Sequence, residues 1–123
     1  MRLSRREFED LVAEALDSLP GEFRARLHNV EVVVEERPAP EDYQELGMQP
    51  GEVLLGVYRG TPLTERSVFG ADLMPDRIVL FRRPIERAGR TRRGIVQEIR
   101  RTLIHEVAHH FGLSDDRLEE LGC

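Results

Sequence analysis

The sequence predicts an α+β domain, and three observations carry that prediction. Helical periodicity fills the first twenty residues and returns over residues 91–111. Between them lie short β-branched runs separated by proline and glycine. The 123 residues are 40% hydrophobic and 33% charged, a balance that suits one modest core. The expected arrangement is a single domain over residues 1–123. It holds a small mixed sheet of three to four strands, with an N-terminal helix and a long late helix packed on it.

Each element has its own local signal. Ser4 and Glu7 have the spacing of a capping box, S-x-x-E, at a helix start. Phe8, Leu11, Val12, Ala15, Leu16 and Leu19 then make one apolar stripe, and Pro20-Gly21 stops it. Residues 22–27 suit one or two further turns. Val30 to Glu35 is a β-branched strand, ended by Arg37-Pro38-Ala39-Pro40. Residues 41–46 form a short helix closed by Gly47. Residues 52–59 read as a second strand, in which Gly56 marks a bulge or a close approach of another chain segment. Residues 67–69 suit a short strand and residues 70–74 an irregular stretch. Residues 76–82 are the third good strand, and residues 84–90 a connector with about one helical turn. Thr91 opens the longest helix, which runs to Phe111, with Gly112 as its C′ glycine. Ser114 is placed to cap a last short helix over residues 115–121.

Composition excludes several functions. With 18 basic and 23 acidic side chains the net charge is −5, which argues against a general nucleic-acid binder. All the basic residues are arginine, scattered along the chain as solvated or ion-paired groups. No apolar run approaches the roughly 20 residues of a membrane span. The first residues lack the apolar run of a signal peptide, so a cytoplasmic location is expected. The single cysteine, Cys123, makes neither an internal disulfide nor a multi-cysteine zinc site.

The chemistry concentrates near residue 105. His105-Glu106-Val107-Ala108-His109 is an H-E-x-x-H string inside the long helix. Residues four apart share one helix face, with Cβ atoms about 6 Å apart, so both imidazoles can reach one Zn²⁺ at about 2.0–2.1 Å. The glutamate between them flanks the metal and can take a proton from water. On a helical projection Val96, Ile99, Leu103, Ile104, Val107 and Phe111 form the apolar arc. His105, His109, Glu98 and Thr102 fall opposite, with Glu106 at the border. A zinc site needs a third protein group. Gly112 allows a sharp reversal after the helix, and Asp115, six residues beyond His109, has the best spacing to return to the metal. Asp116 and Glu119 are alternatives, and His110 is a candidate fourth ligand better suited to a structural or surface role. Glu98 is a candidate to orient an imidazole, and Tyr58 and Arg59 to stabilise an oxyanion, although a solvated or ion-paired Glu98, a packed Tyr58 and a solvated Arg59 suit the pattern better.

The full string, H-E-V-A-H-H-F-G-L-S-D, resembles the metzincin motif with aspartate in place of the third histidine. More closely, the chain is similar to the minimal zincin-like family, small bacterial proteins regarded as zinc metallopeptidases of unknown function. The resemblance covers most of the chain, including residues 55–66, 100–104 and 111–116. It implies a stripped-down zincin fold, with His105, His109 and Asp115 as zinc ligands and Glu106 as general base. It further implies a peptide or protein substrate. The sequence departs from full metzincins in having no methionine after Asp115, where their methionine turn lies. The expected function is therefore a zinc-dependent peptidase or amidase. The alternative is a metal-stabilised binding or regulatory module without turnover.

Overall fold

The computed structural model describes residues 1–49, 51–60 and 76–120. Helix α1 (Arg5–Asp17) starts at the expected box: the Ser4 hydroxyl accepts from the Glu7 N–H and the Glu7 carboxylate accepts from the Ser4 N–H. Its stripe buries Phe8, Leu11, Val12 and Ala15. Helix α2 (Gly21–Arg26) buries Phe23 and leads into strand β1 (Val30–Glu35). Helix α3 (Pro40–Glu45) begins where the buried Asp42 carboxylate accepts from the Ala39 N–H at 2.7 Å. Strands β2 (Gly56–Arg59) and β3 (Asp76–Phe81) follow, then helices α4 (Arg82–Gly89), α5 (Arg92–Phe111) and α6 (Asp115–Glu120). The strand expected at residues 67–69 and the irregular stretch at 70–74 lie outside the described residues.

Two elements differ from expectation. The second strand begins at Gly56 instead of residue 52. The Glu52 N–H is turned back onto the Gln49 carbonyl, so the ladder starts later, with Phe81 N–H donating to the Leu55 carbonyl at 2.9 Å. The connector after β3 is a full eight-residue helix, α4. Pro84 sits in its first turn, where a missing N–H removes no helical hydrogen bond.

The described strands form a mixed sheet in the order β1-β3-β2. β1 runs parallel to β3, with Val32 opposite Ile78 and Val34 opposite Leu80. β2 runs antiparallel to β3, with Tyr58 opposite Ile78. Alternation along each strand gives the sheet two different faces. Val34, Ile78 and Leu80 join Phe8, Ile99 and Leu103 in the larger cluster, under α1 and α5. Val79 and Phe81 point the other way and pack with Leu54, Tyr43 and Val57 near α3. Both faces of β3 are covered, which explains its unbroken apolar centre.

Two close approaches set where α5 lies. A Cβ on Gly56 would stand 2.6 Å from Thr102 Cγ2 and 2.9 Å from the Val79 carbonyl oxygen. Gly56 is thus a close-approach site between β2 and α5. A Cβ on Gly94 would stand 2.0 Å from the Gly89 carbonyl oxygen, so α4 and the start of α5 meet through backbone.

Leu3 is tied to α4 by a nearly dry charge network. Its N–H donates to Glu86 Oε2 at 2.9 Å and its carbonyl accepts from Arg82. Glu86 is 2% exposed and also accepts from Arg83 at 2.7 Å. Arg82 and Arg83 both pair with Glu36, just after β1. Desolvation pushes the Glu36 carboxyl up, but the two guanidinium groups outweigh it and hold its pKa below the ordinary value. Glu36 itself is exposed, whereas the buried charges of Arg82 and Glu86 persist because each has a partner.

Candidate metal centre

Helix α5 positions the H-E-x-x-H residues. The Thr91 side chain caps its start by accepting from the Gly94 N–H, and Gly112 ends it in the left-handed region at φ 65°. Ile95, Ile99, Leu103, Ile104, Val107 and Ala108 are buried, which fixes the rotation of the helix about its axis. That rotation leaves His105 and His109 exposed and Glu106 half-buried, the sides on which the helical projection puts them. Two other residues lie elsewhere than the projection has them. Phe111 is 41% exposed, and its ring lies under the Arg26 guanidinium at 4.8 Å. Thr102 is buried, its methyl against Gly56 and its hydroxyl donating to the Glu98 carbonyl at 2.8 Å. A threonine that satisfies its own hydroxyl within the helix can occupy an apolar contact.

Glu106 has a special environment. Burial pushes its carboxyl pKa above the ordinary value, opposed by the His109 charge and by the Tyr58 backbone N–H. The half-buried glutamate therefore faces the sheet edge at Tyr58 on one side and a ligand-type imidazole on the other. Among the described residues, no hydrogen bond or ion pair occupies His105 or His109. The donor set fits a borderline metal such as zinc: two neutral-capable imidazoles one turn apart, exposed, beside a carboxylate. The chain then reverses at Gly112, and Asp115 opens α6, six residues after His109. The side chain of Asp115 lies outside the described atoms. Among the described residues, no group of three His, Cys, Asp or Glu side chains is assembled as a metal cluster.

The remaining candidates have other partners. Glu98 pairs with Arg101 at 3.3 Å. Arg59 pairs with Asp42 and with Glu35, tying α3 to β1. Asp116 and Glu119 are exposed on α6. Cys123 lies outside the described residues.

A cluster that the sequence did not reveal lies beside the motif. The Tyr58 ring stacks on His110 at 3.9 Å with an interplanar angle of 11°. The Tyr58 hydroxyl donates to Asp76 at 2.9 Å, and His110 Nε2 lies 3.8 Å from the same carboxylate. These residues come from β2, β3 and α5 and pin the sheet edge to the end of the motif helix. They are 18 to 52 positions apart pairwise, so no local spacing could have found them.

A small mixed sheet with a histidine-bearing helix packed on it is a zincin-like architecture. The chain belongs to the zincin-like metallopeptidase family, whose model matches residues 27–123. A solved structure of a conserved hypothetical protein from T. thermophilus is similar, at 26% identity and a TM-score of 0.57, covering 89% of this chain and 94% of that one. A comparison with curated proteins found no match. Among the described residues, no helix is long and apolar enough to cross a membrane.

Proposed function

We propose that the chain hydrolyses a peptide or amide bond at a zinc site held by His105, His109 and Asp115. The observation that carries this reading is the environment of Glu106, a half-buried carboxylate one residue from the first of two exposed imidazoles, with its pKa raised by desolvation. Bound Zn²⁺ supplies Lewis acidity, polarising a substrate carbonyl and acidifying water. Glu106 supplies the base. Its carboxylate takes the proton of the attacking water and later gives it to the departing amine. A raised pKa suits both halves of that task. The Tyr58 N–H limits the rise and steadies the carboxylate on its sheet side.

The family supports a peptide as the substrate class.

Metal stoichiometry by mass spectrometry, on untagged protein beside a His105→Ala/His109→Ala control, tests the site. About one zinc per wild-type chain and none in the control is expected. No uptake from micromolar zinc would overturn the reading. Glu106→Gln then separates catalysis from binding. It is expected to lower hydrolysis of a susceptible peptide at least about 100-fold while leaving zinc content unchanged. Zinc bound by a wild type that cleaves nothing in a peptide library would leave a metal-stabilised binding module.

A further inference from the structure

We propose that Glu22, at the start of α2, is a positioning residue for the metal centre, acting through Arg117 on the segment that carries Asp115. This inference rests on the zinc reading above. Helix α6 has only six residues, too few to be stable alone, and it follows a left-handed reversal at Gly112. Its place must therefore come from tertiary ties. Leu113 and Leu118 pack half-buried against the main core. The directional tie is Arg117, which donates to Glu22 at 2.8 Å across 95 positions.

Glu22 holds both sides of the reversal. Its carboxylate also pairs with Arg26 at 3.6 Å. The Arg26 guanidinium covers the ring of Phe111, the last residue of α5 and two beyond His109. One carboxylate thus braces the helix end before Gly112 and the helix start after it. A third ligand carried on a segment already ordered costs less entropy to engage than one on a loose tail. An exposed ion pair adds little to global stability. Its effect should appear in metal affinity more than in melting.

The test is a double-mutant cycle on zinc affinity with Glu22→Gln, Arg117→Gln and the pair, read by competition with a chromophoric chelator. Each single substitution is expected to weaken zinc binding about three- to fivefold, the range of an exposed charge pair. The double variant should lose no more than either single, and Arg117→Lys should recover most of the affinity. With Co²⁺ as probe, the visible absorption band should weaken or shift in the single variants. Melting temperature and circular dichroism, taken on metal-free samples, confirm that each variant is folded. Equal affinity in wild type and Glu22→Gln, or losses that add in the double variant, would overturn this inference and leave the zinc site standing. A wild type that takes up no zinc would overturn the underlying reading instead.

Discussion

Replacing Glu106 by glutamine removes a carboxylate that desolvation disfavours. In metal-free protein that variant is expected to melt at a higher temperature than wild type, measured at pH 7 with chelator present. A lower melting temperature would show that the half-buried charge costs the fold nothing. Gly56 is the opposite case, a residue that carries no chemistry but sets the geometry. Gly56→Ala puts a methyl group 2.6 Å from Thr102 Cγ2 and 2.9 Å from the Val79 carbonyl oxygen. Denaturant unfolding should show a loss of about 1–3 kcal/mol, the usual cost of overpacking. At this scale, what could be read in the sequence depended on the range of the interaction. Ser4, Glu7, Thr91 and Gly112 act within three to five residues and were visible as spacings. The stack of Tyr58 on His110, and their shared partner Asp76, join three elements and left no trace in any short window.

The elements show the same division. α1, β3 and α5 follow from periodicity because each has one buried stripe or a buried run, and β1 follows from its β-branched residues. α4 is longer than the single turn expected over residues 84–90, because proline in a first turn is compatible with helix. The helical projection puts Thr102 on the polar side of α5, but the contact with Gly56 buries it, and only the packed sheet reveals that. The capping box of α1 makes a pH prediction. The Ser4 backbone N–H, the Ser4 hydroxyl and Arg92 hold the Glu7 carboxyl below its ordinary value of 4.5. A depressed folded pKa adds stability that is present above pH 4.5 and is lost as pH falls through the folded value. Glu7→Gln should therefore be less stable than wild type at pH 6, and the gap should close as the pH is taken well below 4.5. A gap independent of pH would mean that the box works without its charge.

Across the whole molecule, the site depends on how α1, the sheet and α4 hold α5. Glu86 joins two of these, with Leu3 on one oxygen and Arg83 on the other. Glu86→Ala leaves the buried Leu3 N–H without its acceptor and takes from Arg83 one of its two carboxylate partners. It is expected to cost about 3 kcal/mol in denaturant unfolding, more than a surface change would. A loss within about 0.5 kcal/mol, the range of surface substitutions, would show that water or Glu36 takes over both bonds. The fold class and the three described strands were legible because hydrophobic pattern dictates them. The docking order of the layers was not, because it rests on glycine contacts and on buried charges that look like surface residues in sequence.

The bond between Leu3 and Glu86 spans 83 positions, and its length has a consequence for how the chain is made. At a ribosome, α1 emerges with Phe8, Leu11 and Val12 uncovered, while Ile99 and Leu103 are still to be synthesised. β1 likewise waits for β3, its parallel neighbour, some 46 residues later. Such distant pairings close slowly, because loop entropy must be overcome before the contacts reward it. The nascent chain therefore carries an uncovered apolar helix until α5 has been translated. The helix that carries the H-E-x-x-H string is also the piece whose arrival lets the rest fold.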